Sequence, residues 1–207
     1  MTEAELRDEV IATARSLFTR SLTHGRTGNI SVRLDDRILV TPTGSSLGTV
    51  RADHLSVIDT GVHHLAGPRP SKEAFLHAAV YRARPGATAV IHTHSTHSAA
   101  VSCLAGVDQR NVLPPLTAYF AMRIGRLPML PYHAPGDESL GALAESTARD
   151  NVAFLLSNHG PVVAGESLPA ALDALEELEE TAKLFLLLQG HRTRPLTDRQ
   201  VRDLAPR

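Results

Sequence analysis

A chain of 207 residues with 43% apolar residues can bury a sizeable core as one domain, expected to span 1–207. Its net charge of −1 argues against a general binder of nucleic acid or anionic membrane, which needs a basic excess. The single cysteine, Cys103, excludes an intrachain disulfide framework and favours a cytoplasmic setting. The charged start Met-Thr-Glu-Ala-Glu-Leu-Arg-Asp lacks a signal peptide's apolar stretch, and no apolar run reaches the length of a membrane span. Histidine is the unusual component, with 11 copies, while tryptophan is absent.

Leu6, Val10, Ile11, Ala14, Leu17, Phe18 and Leu22 recur at helical spacing and predict an amphipathic helix over 3–22. A hairpin follows, with strands at 28–34 and 37–41 joined at Asp35-Asp36. Two glycine loops flank it, Arg26-Thr27-Gly28-Asn29 and Thr41-Pro42-Thr43-Gly44-Ser45-Ser46. Such loops are ordinary turn chemistry, or backbone cradles for a phosphate. A strand at 55–58 and a turn at Thr60-Gly61 come next.

Pro68-Arg69-Pro70 introduces a helix over 72–84, with Ser71 as its expected N-cap and Phe75, Leu76, Ala79 and Val80 as its buried stripe. Glu73 falls in the first turn. An acid there complements the helix dipole, or it is a carboxylate held beside a site. Ser71 and Lys72 share the ambiguity, because a helix start also attracts anions.

Residues 89–97 read Ala-Val-Ile-His-Thr-His-Ser-Thr-His. As a buried strand this puts His92 and His94 on one face, roughly 7 Å apart along the backbone, where both can reach one metal ion. A short helix is expected over 96–104, with His97 in a supporting or structural place. Pro114-Pro115 opens an irregular stretch that includes Tyr119, and 127–132 reads as an edge segment. His133 reads as a surface residue. After a helix near 138–149 and a strand at 152–157 comes Asn158-His159-Gly160-Pro161. His159 can supply a third imidazole from a neighbouring strand, and two or three imidazoles with an open position suit a catalytic divalent metal. Ser167 caps a long helix over 168–189, on which Glu176, Glu177, Glu179 and Glu180 read as a solvated face. A short terminal helix lies near 198–204.

Taken in order, Gly28-Asn29-Ile30-Ser31, Thr41-Pro42-Thr43-Gly44, Ser71-Lys72-Glu73, His92-Thr93-His94 and Asn158-His159-Gly160 resemble the class II aldolase/adducin family. That resemblance implies an α/β fold, an αβα sandwich with a central, largely antiparallel sheet, assembled as a homotetramer. It implies one divalent metal ion per subunit on His92, His94 and His159, most often Zn2+, with Mn2+ or Co2+ also accepted by imidazole. It makes Glu73 the proton-transfer residue, able to touch the metal as well. Asn29, Thr43, Gly44, Ser45 and Ser71 would hold a substrate phosphate, with Lys72 as a charged partner. Tyr119 would be an additional catalytic donor, within its own subunit or across a boundary.

The stretches 70–77, 113–119 and 176–185 resemble more closely the family's decarboxylases of 3-oxo-tetronate 4-phosphates. Aldolases of the family often carry serine where this chain has Lys72, an added cation suited to a substrate bearing both phosphate and carboxylate. The implied reaction is loss of CO2 through an enediolate in sugar-acid breakdown, giving dihydroxyacetone phosphate. Retro-aldol cleavage passes through the same enediolate, so a sugar-phosphate aldolase, epimerase or dehydratase is the alternative within the family. A non-catalytic adducin-like interaction domain is the alternative outside catalysis, and a closed structural metal site is a third. The intact histidines and Glu73 speak against a scaffold, and the open fourth position against a structural zinc.

Overall fold

The structure, a computed structural model, describes residues 2–204; residues 1 and 205–207 of the expected domain lie outside the described residues. Helix α1 (Glu3–Thr19) opens with a capping box between Thr2 and Glu5. It is followed by the hairpin β1 (Asn29–Leu34) and β2 (Arg37–Val40), then by β3 (Ser56–Asp59) and β4 (His64–Ala66). Helix α2 (Ala74–Ala83), strand β5 (Ala89–His92), α3 (Thr96–Ser102) and α4 (Ala118–Arg123) come next. The chain then forms β6 (Met129–Leu130), α5 (Leu140–Ala148), β7 (Ala153–Leu156), β8 (Gly160–Gly165), α6 (Leu168–Leu187) and α7 (Asp198–Asp203).

The eight strands form one sheet in the order β4-β3-β2-β1-β5-β8-β7-β6. Every pairing is antiparallel except β6 with β7. Strand alternation divides the apolar residues between two cores. Ala89 and Ile91 of β5 pack with α1, α3, α4 and α6, whereas Val90 packs with α2 and α5 on the opposite face. The result is the expected αβα sandwich. Among the described residues no helix is long and apolar enough to cross a membrane.

The end of β5 is where three strands crowd together. Asn29 of β1 pairs with His92, and His92 pairs with Val162 of β8. Gly28 has φ +78°, and a Cβ on it would lie 2.9 Å from the His92 carbonyl oxygen. A Cβ on Gly160 would meet the Thr93 carbonyl oxygen at 2.2 Å. Only glycine permits both approaches.

Several local expectations change. Helix α1 stops at Thr19, so Leu22 lies beyond it while still packing on the core. Ser71 is not the N-cap of α2: Glu73 holds that position, and the Ser71 hydroxyl accepts from the Glu73 backbone N–H one turn earlier. The strand at 89–94 ends at His92, because Thr93-His94-Ser95 turns out of the sheet before α3. The stretch around Tyr119 is a helix rather than irregular, capped by the Thr117 hydroxyl at the Phe120 N–H. Strand β4 is a short exposed edge without an apolar signature.

The acidic run on α6 is not uniformly solvated. Glu179 is buried and accepts from the backbone N–H of His97 and Ser98, the Ser98 hydroxyl and the His97 ring. It supplies the N-terminal acceptor that α3 lacks locally, which makes His97 structural. Burial raises its pKa, but those donors outweigh it and hold the carboxyl below its usual range. Glu177 accepts from the Thr117 hydroxyl, and Glu176 pairs with Arg20. Ser167 caps α6 as expected.

Gly160→Ala is expected to cost about 1–3 kcal/mol through overpacking, lowering the melting temperature by roughly 2–12 °C for a domain of this size. Gly86→Ala, where an added Cβ has no neighbour within 4 Å, should stay within about 0.5 kcal/mol. Thermal melts of the two metal-free variants check this. Equal melting temperatures would refute the close-approach reading of Gly160.

Candidate active site

Three elements bring the histidines together. His92 closes β5 and is fully buried. His94 sits in the turn after it, and His159 immediately precedes β8. The turn at 157–159 needs a left-handed residue, and Asn158 adopts φ 55° there, as asparagine does more readily than most. The Asn158 N–H donates to the Ser102 carbonyl, and the His159 N–H to the Ser102 hydroxyl. Helix α3 therefore fixes the backbone that carries the third histidine.

The ligand atoms of His92, His94 and His159 all lie within 4.8 Å of one another. His159 Nε2 and His94 Nε2 are 2.9 Å apart. Two nitrogens bound tetrahedrally to one zinc ion would be roughly 3.3 Å apart, so little rearrangement separates the two geometries. His92 Nδ1 donates to the Pro161 carbonyl at 2.8 Å, which leaves the lone pair on Nε2. That nitrogen is buried, and no described residue forms a hydrogen bond with it. An unmet buried polar atom costs about 1–3 kcal/mol. Here it points into a ring of ligating atoms, and the backbone bond behind it is the support that metal-binding imidazoles use. The residues present fit a divalent ion.

Burial, with the neighbouring imidazoles, depresses the His94 pKa to about 3 and the His159 pKa to about 4. Both rings are neutral near pH 7, the state in which imidazole binds metal. Glu73 stands against this cluster, its Oε2 3.5 Å from His92 Nε2 and its Oε1 3.3 Å from His159 Nε2. Burial pushes its pKa up. His92, His159, the Asn29 amide and His77 pull it down more strongly, so the net displacement is downward.

From the cluster a cleft of about 300 Å³ opens toward the two glycine loops. Asn29, Thr43, Gly44, Ser45, Ser71, Lys72, Glu73, His94 and His159 all line it. Arg26, Thr27 and Pro135 line it too and had no place among the expected site residues. Arg26 carried a signal in retrospect, a cation two residues before Gly28 in a loop read as a phosphate cradle. A larger cavity of about 540 Å³ lies at the opposite end of β5 and β8, near Gly165, but holds none of these groups. Chemistry rather than size selects the site.

The loop at 43–45 is partly satisfied internally. The Thr43 N–H donates to the Arg69 carbonyl, and the Ser45 N–H and hydroxyl both donate to Pro42. Among the described residues the Gly44 N–H and the Thr43 hydroxyl remain without such partners and can serve a ligand. The Asn29 side chain is also engaged. Its Nδ2 donates to Glu73 Oε2 at 2.8 Å and its Oδ1 accepts from His77 Nε2, leaving one amide N–H. Tyr119 is 62% exposed on α4, against Arg123, and does not line the cleft of its own chain. His133 is half-buried and lines a narrow crevice that reaches Glu73 and His159.

Comparison with known proteins identifies the chain's relatives. Residues 8–186 match the Class II Aldolase and Adducin N-terminal domain. The chain is 47% identical to the 3-oxo-tetronate 4-phosphate decarboxylase of Haemophilus influenzae, covering 100% of this chain and 99% of that one. The L-fuculose phosphate aldolase of the same organism is more distant, at 32% identity over 91% of this chain and 85% of its own. The crystal structure of YgbL from Klebsiella pneumoniae superimposes with a TM-score of 0.96 at 43% identity, covering 99% of each chain. The chain belongs to the class II aldolase and adducin family.

Proposed function

We propose that this protein decarboxylates a 3-oxo-tetronate 4-phosphate, yielding CO2 and dihydroxyacetone phosphate through an enediolate, in the breakdown of sugar acids. The observation that carries the reading is the cleft itself. A three-histidine cluster and a buried carboxylate stand at one end, and two glycine loops with Lys72 and Arg26 at the other. Full-length identity of 47% to a decarboxylase, against 32% to an aldolase, supports the choice of reaction.

His92, His94 and His159 would hold one divalent ion per subunit, Zn2+ first, with Mn2+ or Co2+ as substitutes. Bound there, such an ion would supply Lewis-acid stabilisation of negative charge on the substrate's C3 oxygen. Gly44, Thr43, Ser45, Ser71 and Asn29 would seat the phosphate. Lys72 and Arg26 provide two positive charges for a substrate with two anionic ends. Anchoring the phosphate supplies binding energy that fixes the reacting carbons relative to Glu73. As the C1–C2 bond breaks, its electron pair passes into the C2–C3 enediolate and CO2 leaves. Each turnover consumes one proton, which Glu73, ionised at rest, would take up from solvent and pass to C2.

We further assign the protein to the cytoplasm, as one domain over 1–207 in a homotetramer with no nucleic-acid or membrane partner. Tyr119, exposed and outside its own cleft, would donate to the site of a neighbouring subunit.

Metal-replete protein should convert at least one stereoisomer of 3-oxo-tetronate 4-phosphate to equal amounts of CO2 and dihydroxyacetone phosphate. No CO2 from any stereoisomer, or an aldehyde co-product, removes the decarboxylase reading. His159→Ala should lose bound metal by elemental analysis, whereas Glu73→Gln should keep it and lose about 10²–10⁴-fold in kcat. Metal retained in the first variant, or near-normal turnover in the second, contradicts the role assigned. Lys72→Ser should raise KM for the phosphorylated acid by about tenfold or more, the scale of one charged hydrogen bond, with kcat changed little. An unchanged KM would show that Lys72 does not hold the substrate.

A further inference from the structure

Behind the cleft lies a row of polar side chains buried in an otherwise apolar layer. Glu73, His77 and Tyr81 follow one another at intervals of four along α2 and its N-cap. Asn29 and Ser31 stand two apart on the facing side of β1. Four helical residues advance about 6 Å and two strand residues about 6.8 Å, so the two rows interleave. The bonds alternate between helix and strand: Glu73 with Asn29 (2.8 Å), Asn29 with His77, His77 with Ser31 (2.6 Å), and Ser31 with Tyr81 (2.9 Å). His77 is fully buried and Tyr81 nearly so.

The direction of every bond follows from the first. A carboxylate only accepts, so Asn29 turns its N–H to Glu73 and its carbonyl oxygen to His77. That oxygen only accepts, so His77 carries a proton on Nε2. Burial drives the His77 pKa down to about 3, which keeps the ring neutral with its lone pair on Nδ1. Ser31 must then donate to Nδ1, and its oxygen accepts from the Tyr81 hydroxyl. No donor or acceptor along the row is left to choose.

We propose that His77 is a positioning residue, which through Asn29 pins Oε2 of Glu73 and leaves Oε1 to carry the proton of the reaction. This rests on the proposed function in one respect, the role of Glu73 in proton transfer. Without the imidazole, the Asn29 oxygen has no buried donor. The amide is then free to rotate, and in the reversed orientation it sets oxygen against the carboxylate. His77 touches none of the three histidine ligands through a hydrogen bond. Its loss therefore acts on orientation rather than on metal binding.

The test compares His77→Leu, His77→Gln and wild type, all metal-loaded and with metal content measured. His77→Leu should lose about 10–100-fold in kcat, the usual cost of removing a supporting partner, while KM stays within about twofold and metal content holds. His77→Gln offers an N–H to Asn29 and an oxygen to Ser31, and should recover most of kcat. A merely structural role would lower the melting temperature of both variants and show neither the kcat–KM split nor the rescue. Wild-type kcat in His77→Leu overturns the proposal. A second measurement needs no turnover and no variant: nitrogen-15 NMR of the metal-free wild type should place the His77 proton on Nε2. A proton on Nδ1 overturns the relay, even if His77→Leu does not fold. If wild type neither decarboxylates the substrate nor exchanges a proton into dihydroxyacetone phosphate, the proposed function falls, and the NMR result decides the relay on its own.

Discussion

The site depends on how closely β1 and β8 can approach the end of β5. Side chains at 28 and 160 would occupy space already filled by the carbonyls of His92 and Thr93. With glycine at both positions, Asn29 comes directly opposite His92, and His159 is delivered beside His94. The glycines of the Gly-Asn and His-Gly motifs thus act through backbone spacing. The chemical residues next to them inherit their places from that spacing. The same closeness makes the region intolerant of volume, since packed interiors respond to a single added methyl group.

Once the strands are in place, the electrostatics of the pocket follow from burial. Low solvent access disfavours charge on His94 and His159, and like-charge repulsion among the imidazoles acts in the same direction. His94 and His159 therefore present lone pairs rather than positive charge. Glu73 meets the opposite balance, because the groups around it favour its ionised form by more than burial opposes it. Three clustered imidazoles facing one carboxylate form a donor set suited to a divalent cation. The unmet Nε2 of His92 is the clearest mark of it.

How much of this the sequence revealed depended on whether a residue's partner was near in the chain. Alternation in Ala89–His92 and helical periodicity in α2 and α6 specified the layers, because each element buries one face. The ordered short motifs identified the cleft: Thr43, Gly44, Ser71, Lys72, Glu73, His94 and His159 all line it. Local patterns misled where a distant contact dominated. Glu179 looks like one acid in a solvated run until α3 arrives with four donors. Ser71 looks like an N-cap, but a turn separates it from Ala74, and its N–H donates to the distant Thr41 carbonyl. His77 lies outside the stripe read for this helix (Phe75, Leu76, Ala79 and Val80) and had no role assigned. Its signal lay in two patterns meaningful only together, Glu73-His77-Tyr81 at intervals of four and Asn29-Ser31 at an interval of two.

Asn29 belongs to a glycine loop that lines the cleft, where we propose the phosphate binds, yet its amide is held between Glu73 and His77. A phosphate that recruits the remaining Asn29 N–H meets an amide already fixed in orientation, so binding requires no rotation there. Rotation would break two buried hydrogen bonds and leave their partners unmet, a cost of several kcal/mol when each unmet buried group costs about 1–3. In the proposed reaction Glu73 is therefore oriented before the substrate arrives, and Asn29, which orients it, also faces the proposed phosphate site. Binding energy gained at the loop is then available for the reacting carbons instead of for arranging the carboxylate. A rigid row of side chains behind the cleft does this without any moving part of the main chain.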